Sequence, residues 1–340
     1  MDYKISVIMP IYNAEKNLNQ SIASIIQQSI GFENIELILV DDNSSDNSKD
    51  IIEDYANKFN NIIPYYSKEN HGAPGFGRNI GIKNATAKYI MFIDNDDNYE
   101  KKMCETLYNA ITNENADVVC CNTISKDSLG EIKYMIPYEN HSKKGNKIII
   151  NNEDILHFYN TSIWNKIFKK EVVIKNQIKL LEDTWADDFA FCIEYFLKSK
   201  KLVYLEDYDG YYWNITSDSL SHVVKEKDID ILLYTYRYIY NKLINENKEK
   251  YMNKIIKSHL AYIILQCTYL ESDKKNIKKN LAKIQKFELE IKFDLQLDPM
   301  WIEIFNKLIV NKHFEICFLI IKLIKFLRRS NLLKKIIRSF

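Results

Sequence analysis

An α/β fold, with a mainly parallel central sheet flanked by helices and an α-helical C-terminal region, is what this 340-residue chain predicts. Three observations carry the prediction. Continuous apolar runs alternate with helix-period segments over roughly the first 120 residues, as right-handed βαβ crossovers require. Two acidic clusters, Asp41-Asp42 and Asp94-Asn95-Asp96-Asp97, each follow directly on such a run. From about residue 225 the texture changes to Lys/Ile/Leu/Tyr-rich helical segments almost free of Gly and Pro.

Each element has its own local warrant. Ile5 to Met9 is the first strand, and residues 15–30 follow with helical spacing of Leu18, Ile22, Ile25 and Ile26. Ile35 to Val40 is the second strand, succeeded by a helix from about Ser48 to Phe59. Ile62 to Tyr66 is a short third strand. A Gly-rich turn, His71 to Gly77, then leads into a helix near Arg78–Ala85, and Tyr89 to Ile93 closes the series. The runs lack polar alternation because strands of a parallel sheet are covered on both faces. Residues 117–150 read as strand- and turn-rich with an exposed loop at 140–146, and residues 151–200 as helix, short strand, helix. A boundary near 220–230 divides the chain into a domain over 1–222 and a helical region over 223–340.

Composition narrows the function classes. With 47 basic and 46 acidic residues there is no global electrostatic support for nucleic-acid binding. The six cysteines form no CxxC pair and most sit in apolar surroundings, the pattern of reduced core residues in a cytoplasmic protein. MDYKISVIMP has no signal-peptide pattern, and no apolar stretch approaches the ~20 residues that span a bilayer. Residues 313–340 carry Lys322, Lys325, Arg328, Arg329, Lys334, Lys335 and Arg338 against Glu315 alone, among many apolar residues. Such a basic amphipathic helix suits peripheral contact with the inner face of the cytoplasmic membrane; packing on its own domain or on a second copy in an oligomer suits it equally.

In an open α/β sheet, ligands bind just beyond the carboxyl ends of the strands. Carboxylates gathered there repel one another, and a divalent metal on a phosphate-bearing substrate is the simplest way to offset that cost. The chemistry indicated is that of an enzyme handling a diphosphate-linked molecule. A calcium loop fits Asp94, Asp96, Asn98 and Glu105 at positions 1, 3, 5 and 12, but Tyr99 stands where that loop needs Gly. Gly75-x-Gly77-x-x-x-Gly81 has the wrong spacing for a dinucleotide fingerprint and does not follow the first strand.

Four motifs occur in order: Pro10-Ile11-Tyr12-Asn13, Val40 to Asp46, Arg78-Asn79-Ile80-Gly81, and Asp94 to Asp97. Asn165-Lys166-Ile167-Phe168-Lys169 and Ala186-Asp187-Asp188-Phe189-Ala190-Phe191 follow. With these the chain, over residues 3 to about 220, resembles the family 2 glycosyltransferases of the GT-A fold. The resemblance implies a nucleotide-sugar half over 1–120 and an acceptor half over 121–222. It implies a donor, UDP-linked by default, bound by Pro10, Tyr12, Asn13, Glu15, Asp41, Asp42, Arg78, Asp94 and Asn95. Tyr12 would stack on the base, Asp42 would accept from an imino N–H such as that of uracil, and Arg78 would reach the diphosphate or the donor sugar. Mn²⁺ or Mg²⁺ would be held by Asp96 with Asp97, and His222 would lie near it. Asp188 would be the general base of a single displacement with inversion, acting on a glycan or lipid-linked glycan acceptor in capsule, lipopolysaccharide or teichoic acid synthesis. The chain departs from the family pattern G-E-D at Ala186 and Asp187. Alternatives stay open: the acidic pairs as helix or turn caps, a sugar nucleotidylyltransferase, or a non-catalytic binding module that keeps the fold.

Overall fold

The computed structural model describes residues 2–126, 132–135, 147–157, 161–214, 226–248, 251, 263–264, 266–267, 273–291 and 300–329. His222, the 140–146 segment and the tail beyond 329 lie outside the described residues. Two compact units divide the chain, Met1–Ser217 and Asp218–Phe340.

The first unit opens with β1 (Ile5–Ile11), α1 (Leu18–Ile26), β2 (Ile35–Asp41), α2 (Ser48–Lys58), β3 (Ile62–Tyr66), α3 (Pro74–Asn84) and β4 (Tyr89–Phe92). These match the elements read from periodicity. Strands β1 and β2 are buried at every position, which is why they carry no polar alternation. Next come β5 (Asn98–Tyr99), α4 (Met103–Asn113), β6 (Val118–Lys126), β7 (Ile132–Met135), β8 (Ile148–Asn151), β9 (Lys166–Lys169), α5 (Lys170–Lys175), α6 (Asp187–Lys198) and β10 (Lys201–Asn214). One sheet takes the order β3-β2-β1-β4-β9-β6-β10-β5, with β7 added on β6 and β8 on β10.

The pairs among β1 to β4 are all parallel. Beyond β4 the sheet is mixed: β9 runs antiparallel to both β4 and β6, while β10 is parallel to β6 and antiparallel to β8 and β5. The chain goes outward through β2 and β3, then returns to place β4 on the other side of β1. That reversal is a topological switch point, and it opens a crevice beyond the ends of β1 and β4.

Helix α3 lies close against β1. A Cβ on Gly81 would stand 2.2 Å from Ile8 Cγ2, and one on Gly77 would stand 3.2 Å from Pro10 Cβ. Gly81→Ala therefore overpacks the α3–β1 contact and is expected to cost about 1–3 kcal/mol. The check is urea unfolding, with a lower midpoint at unchanged slope; a wild-type midpoint would contradict this close approach. Strand β10 breaks register twice, between Leu205 and Asp209 and between Asp209 and Tyr211. Such irregularity bends a strand, and here it brings Tyr211–Asn214 to the turn after β4. All six cysteines are buried and free, as core residues.

The described part of the second unit comprises α7 (Glu226–Asn245), α8 (Lys274–Ile291), α9 (Met300–Val310) and α10 (Phe314–Arg329). Helix α8 is central, packed by the other three. Lys283–Asp230 and Arg237–Glu290 pairs tie it to α7, and Lys274 and Lys278 reach Glu315 on α10. Helix α10 buries Cys317 and Ile321 but exposes Ile316, Leu319, Leu323 and Phe326 along one stripe. Among the described residues no helix is long and apolar enough to cross a membrane.

Candidate active site

Strands β1 and β2 end side by side, with Ile11 paired to Asp41. Past each end the chain turns through an asparagine in the left-handed region, Asn13 at φ 49° and Asn43 at φ 60°, which Asn tolerates better than most residues. The two loops then lock reciprocally. Ser45 N donates to Asn13 Oδ1 at 2.8 Å, and Asn13 N donates to Ser44 Oγ at 2.9 Å. Asn47 donates through N and Nδ2 to Glu15 Oε2, and Glu15 N donates to Asp46 Oδ2. Asn13 and Glu15 thus serve as struts between loops. They hold Tyr12, which is 49% exposed and offers a flat ring at the crevice.

The neighbouring acids differ in their commitments. Asp42 receives both His71 N at 2.8 Å and His71 Nδ1 at 2.7 Å. The His71 ring stacks on Phe76 with centroids 3.4 Å apart. The carboxylate assigned by sequence to the base therefore also anchors the loop ahead of α3, a link for which the sequence held no signal. Asp41 is buried; its Oδ2 accepts from Ser44 N, and its Oδ1 has no partner. A buried acceptor without a donor is costly, and this one stands at the end of β2.

Across the switch point, Asp97 N donates to Asp94 O at 3.2 Å and closes the acidic turn. Asn95 Nδ2 donates to Pro10 O at 3.1 Å, and Ser21 Oγ donates to Asn95 O at 2.9 Å, so the turn is fastened to β1 and α1. Strand β10 holds it from the other side. Tyr211 Oη donates to Asp97 Oδ2 at 2.7 Å, and Asn214 donates through N to Asp97 Oδ1 and through Nδ2 to Asp96 O. Trp164 stacks on Tyr211 at 4.3 Å. Asp97, which the resemblance places at the metal, is buried with one oxygen on Tyr211 and the other on Asn214, so it anchors the turn. Asp96 differs. Its carboxylate takes no bond from another described residue, and burial together with the Asp94 charge pushes its pKa up to about 6.

Arg78 is held on protein carboxylates. It is 4% exposed, with Nη1 on Asp187 Oδ2 at 2.7 Å and Nη2 on Asp94 Oδ1 at 2.6 Å. Both arms of the fork are turned inward onto protein carboxylates, not outward to a diphosphate. Burial opposes the charge, but Asp187, Asp94 and Asp188 outweigh it and keep the guanidinium protonated. Asp187, the departure from the family's Glu, is fully buried as its partner. Asp188, one residue on, is partly exposed in the first turn of α6, where a helix start favours acids. Burial and the adjacent Asp187 push Asp188 up to about 7, poised to exchange a proton near neutrality.

The crevice thus gathers Asp187, Asp94 and Asp188 around the Arg78 guanidinium, with Asp96 and Asp97 following Asp94 in the same turn. Among the described residues, no three His, Cys, Asp or Glu side chains form a metal-holding group by themselves. A divalent ion of the Mg²⁺ type is normally bound by one or two carboxylates plus substrate phosphates. An Asp96 without a partner among the described residues, in an acidic turn, fits that donor set.

Known proteins share the sequence pattern and the fold. The family model "Glycosyl transferase family 2" matches residues 6–196. The chain is 31% identical over 254 residues to the poly(ribitol-phosphate) beta-N-acetylglucosaminyltransferase TarP of Staphylococcus aureus, covering 73% of this chain and 75% of that one. It is 29% identical to the cholesterol galactosyltransferase of Borreliella burgdorferi over 66% of this chain and 65% of that protein. A 108-residue stretch is 49% identical to the minor teichoic acid biosynthesis protein GgaB of Bacillus subtilis, 32% of this chain but 12% of that one. The crystal structure of S. aureus TarS 1-349 in complex with UDP-GlcNAc aligns with a TM-score of 0.71 over 92% of this chain and 89% of that one, at 21% identity. That likeness establishes the shared GT-A fold. The chain belongs to glycosyl transferase family 2 and is a glycosyltransferase.

Proposed function

We propose that this enzyme moves a hexose or N-acetylhexosamine from a UDP-linked donor to a hydroxyl of a cell-surface glycan or its lipid-linked precursor, with inversion at the anomeric carbon. The observation that carries the reading is Asp188. It is a carboxylate at a helix start, held near neutrality and tied through Asp187 and Arg78 to the acidic turn beyond β4.

In this reading the donor lies in the crevice beyond β1 and β4. The exposed Tyr12 stacks on the base, and Asp42, at the end of β2, accepts from an imino N–H. Asp96 would hold Mn²⁺ or Mg²⁺, which when bound supplies positive charge against the leaving diphosphate. Asp188 accepts the proton of the acceptor hydroxyl as its oxygen attacks the anomeric carbon. The bond to the diphosphate breaks on the opposite face, so one displacement inverts that carbon. The UDP-GlcNAc bound in TarS, and the names of TarP and GgaB, support the donor and the surface-glycan class.

Calorimetric titration of UDP, GDP, CDP and dTDP, each with and without Mn²⁺, tests the donor. The expected result is metal-dependent binding of UDP well above the others. Preference for a different nucleotide would overturn the uracil assignment and leave the family intact.

A further inference from the structure

The Arg78-Asn79-Ile80-Gly81 segment has work to do that donor binding does not explain. Helix α3 grips the chain that leads into α6 at three places. Asn79 Nδ2 donates to Leu180 O at 2.9 Å and to Glu182 Oε1 at 2.8 Å, while Leu180 N donates back to Asn79 Oδ1 at 2.9 Å. Gly75 lets the Leu181 backbone come so near that a Cβ would stand 2.0 Å from its carbonyl oxygen. Arg78 takes Asp187 itself, the first residue of α6, and with its other arm takes Asp94 at the end of β4. The opposite side of α3 is seated on β1 through Gly77 and Gly81. The helix is thus a bar between the strands that end at the donor crevice and the helix start that bears Asp188.

We propose that Arg78, Asn79 and Asp187 are positioning residues, which fix the Asp188 end of α6 against the turn at Asp94 so that donor and acceptor chemistry stay in register. This rests on the reading of Asp188 as the general base. A buried ion pair is weak evidence of stability in itself, whereas a fork that joins three elements restricts their relative placement. Arg78 Nε and Asp187 Oδ1 are buried without partners, so the pair is not optimised for burial alone. Lys at position 78 would keep the charge and lose the fork, since its single ammonium lacks the planar two-armed geometry.

The test compares Arg78→Lys, Asp187→Asn and the milder Asn79→Ala with Asp188→Asn. UDP affinity by calorimetry should stay within about threefold of wild type for the three positioning variants, because the Arg78, Asn79 and Asp187 side chains are engaged on protein groups. Amide hydrogen exchange should speed up in residues 187–192 and remain unchanged in β1 and β2. With UDP-GlcNAc as the donor probe, kcat for UDP release should fall about tenfold or more, with KM within about twofold. The groups facing Asp188 are Asp187 on its own helix, Arg78 from α3, Asp94 from the turn and Cys192 one turn on. Asp187→Asn removes a negative neighbour, so the acidic limb of its rate profile should move to lower pH. A tenfold loss of UDP affinity in Arg78→Lys would make Arg78 a donor ligand and overturn the proposal. So would wild-type exchange at 187–192 in all three variants. Wild-type turnover in Asp188→Asn would instead overturn the base assignment, whatever the exchange data show.

Discussion

Replacing Asp188 with Asn should lower the rate of sugar transfer by about 10²–10⁴-fold, the usual contribution of a positioned general base. Asn keeps the shape and still accepts the bond that Phe189 N makes to Asp188 Oδ1 at 2.7 Å. What it lacks is basicity, so UDP affinity should be unchanged. The pH profile carries the same argument with a definite sign. Only the ionised carboxylate can take a proton, and burial with Asp187 beside it raises the pKa of Asp188 to about 7. The kcat/KM of wild type should therefore climb as pH rises toward about 7 and level off above it. An ordinary aspartate would place that limb near pH 4. Stability should move oppositely. The folded state holds the Asp188 proton more tightly than the unfolded chain does, so ionisation above the unfolded pKa weighs against the fold. Asp188→Asn should then melt higher than wild type at pH 8 and no higher at pH 3. Full activity in the Asn variant, or a limb near pH 4, would remove Asp188 from the base role.

How much of this could be read from the chain follows from where each signal resides. Strands β1, β2 and β4 were legible because burial on both faces leaves unbroken apolar runs, and the helices between them because spacing such as Leu18, Ile22 and Ile25 is local. Strand direction is not a periodic property. The antiparallel seat of β9 between β4 and β6, and the bulged course of β10, therefore emerged only from the fold. The acidic turn was visible as a cluster of carboxylates, but their division of labour was not. Asp97 turns inward because Tyr211 and Asn214, more than a hundred residues later, supply donors to both of its oxygens. Arg78 turns inward because Asp187 lies 109 positions away in sequence and one hydrogen bond away in space. The Asp-for-Glu departure at 187 could be noticed in the sequence, yet its meaning depends on the helix that faces it.

Asp96 and Asp97 are neighbours with opposite expected phenotypes, and this contrast gives the second large effect. Asp96→Ala should remove the metal dependence of UDP binding, with an affinity loss of at least about tenfold in Mn²⁺, or about 1.4 kcal/mol. Chelating the metal from wild type should give the same weakened affinity, and chelation should add nothing further in the variant. Stability should not suffer, because the Asp96 carboxylate has no partner among the described residues and is pushed up to about 6 by burial and by Asp94. Above that pH its ionisation weighs against the fold, so the Ala variant should be at least as stable as wild type at pH 8. Asp97→Ala reverses the pattern. It strands the buried Tyr211 hydroxyl and frees the Asn214 backbone N–H, a cost of about 1–3 kcal/mol for each buried group left unpaired. Its melting temperature should fall in the absence of any nucleotide, and its activity should fall with it. If Asp97→Ala instead keeps its melting temperature and loses only the Mn²⁺ response, the turn has rearranged around a metal with Asp97 as a ligand, and the division argued for these two acids is wrong.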